Sequence, residues 1–392
     1  MGICNITNVT SDVHHACNVS RLIGDTWGTS ALSHWEDFVV GTYIAFIVCT
    51  SILMNSLILF VLYQHRSRLM FTDYFIVSLA ITDLGSPLFA YPMACTSSYA
   101  HKWLYKDIGC QINGFLGFYF GICGMETLAV MSFVRYIKIC HRRYAVFLND
   151  YWTYFMIIAI YVSCAIIAGC PFFSWGEYDL EIFGTSCSVV WRKRDLGYIT
   201  FIMITCLVIP FFVMCASYIG IVRVTRCYAK ASRSKHAWSK SELRLVKTTL
   251  FMCIAFVSAW MPYAVISMLS VLYDREVVTE DISIVPHLVA KSSHLLNPVV
   301  YFFMNNKYQR YVVGMVRRMC NCKKEPTEET RMTSGGELVS SSKQRDKDVE
   351  MENINYKKVP KQDIGNELES SSDESSDPEK DNEKNEQENI VL

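Results

Sequence analysis

The sequence predicts an all-α membrane protein, a seven-transmembrane-helix bundle with a short amphipathic eighth helix on the inner membrane surface. Three observations carry this. Seven apolar stretches stand at about 38–63, 73–97, 109–134, 153–174, 196–222, 247–272 and 282–304. Each is long enough to cross ~30 Å of hydrocarbon at ~1.5 Å per residue, and lipid forces such a stretch to pair its own backbone groups as a helix. Basic clusters recur in alternate connections, and the zero net charge of the 392-residue chain divides into −9 over residues 363–392 and +9 elsewhere.

Residues 1–36 are expected to form an extracellular segment. Asn5, Asn8 and Asn18 each begin an N-x-[ST] tripeptide there, the acceptor pattern for glycosylation. No apolar h-region of a cleavable signal peptide occurs in residues 1–37, so the first span is expected to act as the signal. Residues 37–304 hold the seven spans. The connections "HRSR" (65–68) and "HRR" (141–143), the bases from Arg223 to Lys247, and Arg317, Arg318, Lys323 and Lys324 lie on one side. The positive-inside bias makes that side cytoplasmic and the N-terminus extracellular, with "RKR" (192–194) as an exception on the outer side. Most of the 16 cysteines lie within apolar helices as small packing residues. Cys110, at the outer start of the third span, and Cys187, in the outer loop after the fourth, both face the oxidising compartment, where a bridge between them would tie that loop over the bundle. Cys4 and Cys17 are a second available pair.

Residues 305–322 alternate apolar and basic side chains, as a helix lying on the inner membrane surface does, and end in Cys320 and Cys322, placed for palmitoylation. Residues 323–392 are polar and Ser/Glu/Asp/Lys-rich, a composition too poor in apolar residues to build a core.

Each span carries a punctuating residue. Asn55 lies in the first, "LAITDL" with Asp83 in the second, and "VRY" (134–136) closes the third. Pro171 ends the fourth, Pro210 and Tyr218 mark the fifth, "FVSAWMPY" (256–263) the sixth and "NPVVY" (297–301) the seventh. Alone, a proline kinks a membrane helix and a polar residue joins it to a neighbour. Together, over residues 36 to 322, they resemble the rhodopsin-like class of G-protein-coupled receptors.

Lys291 stands six residues before Asn297 in an otherwise apolar span. A lysine near mid-membrane costs roughly 2.5–3.5 kcal/mol on insertion scales, so it is expected to be paired or functional. Burial favours the neutral amine, the form that attacks an aldehyde. The residues alone leave open a lysine paired with a helix acid or one that holds an anionic ligand. The spacing resembles that of the opsins, and this resemblance implies retinal bound to Lys291 as a Schiff base, 11-cis in the dark and all-trans after light. It also implies Trp260, Tyr263 and Gly121 around the polyene, Glu181 as the counterion, and Asp83, Asn297, Arg135, Glu242, Tyr218 and Tyr301 as the activation switch for a heterotrimeric G protein.

Departures from the family pattern accompany the match. Asn113 stands where vertebrate visual pigments place a glutamate, which leaves Glu181 as the expected anion. Val134 replaces the acid before Arg135, so Arg135 is expected to depend on Glu242 and the inactive lock to be weaker. Tyr161 replaces a tryptophan and is expected to be a packing change. Together with Lys307, the Glu181 position resembles invertebrate or non-visual opsins. Glu126 is expected to be a carboxyl bonded to a neighbouring helix. His287, one turn before Lys291, either tunes colour, relays a proton or, when charged, repels the imine, or is a neutral histidine bonded to the outer loop.

The resemblance further implies a multi-pass protein of the cell membrane, in contact with lipid and not nucleic acid. Serines embedded in acids at 369–377 are an expected target for a receptor kinase and then arrestin. The rival readings are a retinal photoisomerase of the same fold and a receptor for a diffusible anionic ligand. The chain is expected to be a receptor and not an enzyme.

Overall fold

The computed structural model describes residues 29–191, 196–230, 240–273 and 279–321. Asn5, Asn8, Asn18, Cys4, Cys17, Cys322 and the acidic tail lie outside them, and the side chains of Glu242 and Cys320 are likewise not described. Six helices are long and apolar enough to cross a membrane: α1 (His34–Gln64), α2 (Asp73–Tyr99), α3 (Lys106–Cys140), α4 (Asp150–Phe173), α5 (Leu196–Cys227) and α6, whose apolar part is Leu243–Leu272. The expected seventh span is two consecutive helices, α7 (Glu280–Lys291) and α8 (Ser293–Met304), followed by α9 (Asn306–Asn321).

Local chemistry explains the ends and irregularities. Ser33 caps α1 in a reciprocal box: its Oγ accepts from the Glu36 N–H, and Glu36 Oε2 accepts from the Ser33 N–H at 2.8 Å. Pro87 has no N–H to continue α2, and the chain widens there into a π turn over Ser86–Ala90. Pro210 has the same effect on α5, where Ile204–Val208 is π-helical. The break between α7 and α8 falls at Ser292, with Pro286 and Pro298 on either side. Non-helical backbone at membrane depth is tolerated only where protein covers it. Here the Tyr91 hydroxyl reaches the Lys291 carbonyl at 3.4 Å, and the Tyr43 and Ser292 hydroxyls pair at 2.6 Å.

The bundle is arranged around α3, which packs against α2, α4, α5, α6 and both strands of the outer loop. The inner half holds an apolar core built on Phe75, Leu79, Leu128, Met131 and Phe256, all buried. Val134 belongs to this cluster and is fully buried, so the acid that the family pattern places there would stand among apolar side chains. Large apolar residues such as Phe46, Leu53, Tyr151 and Phe212 are exposed, as befits a surface solvated by lipid chains instead of water.

The connection between α4 and α5 is a hairpin, β1 (Tyr178–Leu180) and β2 (Cys187–Val189), with Tyr178 opposite Val189 and Leu180 opposite Cys187. The Cys110–Cys187 disulfide ties it to the outer end of α3. The N-terminal segment clamps its tip: Ser30 donates from its hydroxyl and Ala31 from its N–H to the Phe183 carbonyl, at 2.8 and 3.3 Å. The hairpin is thereby a fixed lid across the bundle's outer end.

Candidate functional site

Beneath this lid lies a cavity with about 1000 Å³ of space between its atoms, the part open to the surroundings included. Its walls come from α2, α3, α5, α6, α7 and β2, and are mostly aliphatic, aromatic or glycine. Lys291, the last residue of α7, lines this cavity. Its Nζ has two neighbours: the Ser186 hydroxyl at 3.3 Å and the Tyr91 ring, whose centroid is 4.6 Å away. Among the described residues no carboxylate stands within ion-pair range of this nitrogen. An ammonium held by one hydroxyl and one ring is poorly compensated for a group placed at membrane depth.

The nearest anion is one layer behind the wall. Glu181 follows β1, and its Oε1 accepts hydrogen bonds from the Ser188 hydroxyl and from the Tyr263 hydroxyl at 3.1 Å. His287 Nδ1 lies 3.2 Å from the same oxygen. Burial alone would push the Glu181 carboxyl up, but His287, Ser188 and Tyr263 together outweigh burial and hold it below the ordinary carboxylate range. Glu181 is therefore a buried acid of the lid itself, in surroundings that favour its ionised form. Ser188, Tyr263 and His287 line the cavity in front of it, so its charge reaches the interior through them.

Asn113 has become a structural tie. Its Nδ2 donates to the Ala90 carbonyl at 2.7 Å, at the end of the π turn in α2. Its Oδ1 accepts from the Cys187 N–H at 3.0 Å, so one amide joins α2, α3 and the lid. Trp260 forms the cavity floor. Its Nε1 donates to Ser293 Oγ at 3.1 Å, and its ring stacks on Phe256 with centroids 6.0 Å apart. Gly121 permits that position: a Cβ there would sit 2.7 Å from Trp260 Cζ2.

Below the floor is a second polar layer. Asp83 is fully buried; its Oδ1 pairs with His294 Nδ1 at 3.0 Å and its Oδ2 accepts from Asn297 Nδ2 at 2.9 Å. Asn55 Nδ2 donates to the His294 carbonyl at 3.1 Å. Asp83 and Asn297, expected in the activation switch, thus cluster with Asn55 and with His294, which the sequence reading missed. The available signal was its position one helical turn before Asn297. Further in, Arg135 is buried and close enough to Tyr218 and Tyr301 to interact with both electrostatically.

Two further expectations meet the structure differently. Tyr161 does more than pack: its hydroxyl donates to the Ser78 carbonyl at 3.2 Å and joins α4 to α2. Glu126 makes no side-chain hydrogen bond among the described residues. It is partly exposed, with Cys164 and Cys206 near enough to sense its charge.

Residues 54–301 match the family described as 7 transmembrane receptor (rhodopsin family). Opsin-5 of Homo sapiens is 31% identical over 288 residues, covering 71% of this chain and 81% of that protein. The chain is an opsin. It belongs to the retinal-binding, light-sensing G-protein-coupled receptors, and is a multi-pass membrane protein. Among other relatives, the opsin is 27% identical to "Rhodopsin, GQ-coupled" of Mizuhopecten yessoensis, covering 74% of this chain and 64% of that one. It is also 27% identical to "Visual pigment-like receptor peropsin" of Mus musculus, covering 74% and 87%. In fold it is similar to squid rhodopsin, with a TM-score of 0.66 at 23% identity over 78% of this chain and 94% of that one.

Proposed function

We propose that this opsin binds 11-cis retinal at Lys291 in the dark, with Glu181 as the balancing anion, and that light converts it to the all-trans form and drives a heterotrimeric G protein. The observation that carries the reading is Lys291 itself, an amine lining an apolar cavity, with a hydroxyl and an aromatic ring against it among the described residues. The cavity fits the group: its mostly apolar and aromatic walls suit a polyene, and the Lys291 amine is among the groups that line it. When bound, retinal supplies a light-isomerisable chain joined to the Lys291 nitrogen.

The remaining work falls to the chain's own residues. Lys291 holds the ligand and the proton on its nitrogen, and Glu181 offsets that charge through Ser188, Tyr263 and His287. The lid and its disulfide keep water from the nitrogen. Trp260, wedged against Gly121 and bonded to Ser293, passes a change of shape in the cavity to α6 and α8. The kink at Pro262 lets the inner half of α6 swing outward, while Asp83, His294 and Asn297 re-pair, and Arg135, Tyr218 and Tyr301 form the surface for the G protein. Glu242 would hold Arg135 in the dark form.

The N-terminus lies outside, glycosylated at Asn5, Asn8 and Asn18, and the C-terminus inside. The boundaries are 1–36, 37–304, 305–322 and 323–392 as set out above, with α9 held to the inner leaflet by palmitoyl groups on Cys320 and Cys322. The acidic tail serves a receptor kinase and arrestin. The buried layer from Asp83 to Arg135 favours signalling over photoisomerisation alone, because a retinal isomerase has no use for it.

Reconstitution with 11-cis retinal tests this. A visible absorption band is expected, lost in Lys291→Ala, together with light-dependent nucleotide exchange on a G protein. A band that survives Lys291→Ala would overturn the assignment, and a pigment without nucleotide exchange would favour the photoisomerase.

A further inference from the structure

His287 is buried at 7% exposure, four residues before Lys291 and on the same helix face, and both side chains line the cavity. Its Nδ1 is 3.2 Å from the ionised Glu181. An ionised carboxylate accepts but does not donate, so Nδ1 carries the hydrogen and the lone pair falls on Nε2. That Nε2 is buried and has no hydrogen-bond partner among the described residues. A basic nitrogen without a donor is costly in such a place, and here it stands one turn from a nitrogen that carries a proton.

The groups facing the pair identify no other base. From the lid come Glu181, already bonded to three donors, and Ser186 and Ser188, which are not basic. From α6 comes Tyr263, whose hydroxyl donates to Glu181 and accepts from Trp191 Nε1. From α2, Tyr91 presents its ring to Lys291, and from α3 the neutral Asn113 is tied to the lid. On α1, Tyr43 is paired with Ser292. Asp83 and His294 bond to each other one layer deeper.

We propose that His287 is the proton acceptor for the Lys291 nitrogen, the two groups sharing a single proton over the Glu181 carboxylate. The proton leaves Lys291 Nζ for His287 Nε2, the electron pair stays on Nζ, and the imidazolium so formed is balanced by Glu181 through Nδ1–H. The carboxylate steadies the imidazolium as it does in a carboxylate–histidine pair of a hydrolase. Nothing is oxidised or reduced. In the retinal-free protein this frees the amine for attack. In the loaded pigment it lets the Lys291 nitrogen lose its proton without a charge leaving the site. The proposal rests on the reading of Lys291 as the attachment residue.

One shared proton has a particular pH signature. For an isolated lysine below its titration, the free-amine fraction falls about tenfold per pH unit. When acid puts the proton on either of two groups that cannot both hold one, the ratio between them no longer changes with pH. Reductive methylation of retinal-free protein with formaldehyde and cyanoborohydride, from about pH 8 to about pH 5.5, measures this across the histidine range. Mass spectrometry reads Lys291, with the exposed Lys102 as internal reference. The Lys291 rate relative to Lys102 is expected to rise about tenfold per unit at the acid end in the wild type, and to stay flat in His287→Asn, which keeps a donor toward Glu181.

A flat wild-type profile overturns the proposal without recourse to a variant, as does a variant profile identical to a rising wild type. In the loaded pigment, a constant ultraviolet-absorbing fraction at acid pH is expected in the wild type and its disappearance in His287→Asn. Should no pigment form at all, the reading of Lys291 as attachment residue fails, while the methylation profile still decides whether the two nitrogens share a proton.

Discussion

Replacing Gly121 with alanine is expected to loosen the dark state, and the geometry sets the size of the effect. The new Cβ would stand 2.7 Å from Trp260 Cζ2 and 2.8 Å from Cη2. Carbon atoms pack best at about 3.5–4.0 Å, so the indole must move by about 1 Å or α3 and α6 must separate. The indole is not free to move: Nε1 donates to Ser293 at 3.1 Å, and Phe256 and Tyr263 hold its faces and edge. Overpacking of this kind costs about 1–3 kcal/mol, and a buried donor pulled from its partner costs about the same. If the active form relieves the clash, dark nucleotide exchange rises by a factor of about 5 to 150. The internal control is Gly117→Ala, where an added Cβ meets nothing within 4 Å. The assay is dark nucleotide exchange with thermal unfolding of the retinal-free protein, for both variants in parallel. If Gly121→Ala matched Gly117→Ala in both measurements, the wedge between α3 and Trp260 would not hold the dark state.

Further predictions concern the lid. Glu181→Gln removes the buried negative charge and is expected to shift the pigment band from visible to ultraviolet at neutral pH; an unchanged spectrum would mean that another anion balances Lys291. Because the folded protein holds Glu181 below its reference value of 4.5, the stabilisation is present above that value and is lost as pH falls through the lower folded one. Thermal melts of the wild type should therefore stay level above the ordinary carboxylate range and decline steadily as pH falls through that range and below it, a decline absent from Glu181→Gln. Asn113→Leu removes a bond to the Ala90 carbonyl and strands the Cys187 N–H, at about 1–3 kcal/mol for the buried donor left unpaired, and should speed hydrogen exchange in β2 without breaking the disulfide. Equal exchange rates in variant and wild type would show that the disulfide alone fixes the lid.

Much of the architecture was legible because lipid permits so few solutions. A stretch of about 20 apolar residues has one way to pair its backbone, so length and hydropathy alone predicted all six long helices and the surface helix α9. The seventh span was legible as apolar but not as two helices. Its division at Ser292 depends on Tyr91 and Tyr43, from distant parts of the chain, to bond the backbone and hydroxyl released there. Lys291 betrayed itself by cost, since an ammonium in hydrocarbon needs a reason that can be read without coordinates.

What surrounds the lysine belongs to tertiary structure. Sequence offers Glu181 and His287 as an acid and a base separated by about a hundred positions, and no spacing rule predicts that their side chains meet. They meet because the disulfide and the Ser30 clamp fix a hairpin over the outer end of α7, at a height set by the bundle. Asn113 likewise reads in sequence only as a missing charge, and in the fold as the bond between two helices and the lid. By itself the sequence determined the membrane-spanning class and the oddity of a lysine in an apolar span, because each is a property of one segment in its solvent. Only the tertiary structure decided which groups share the buried space with that amine, because hydrogen bonds at about 3 Å depend on positions that several helices and a lid set jointly.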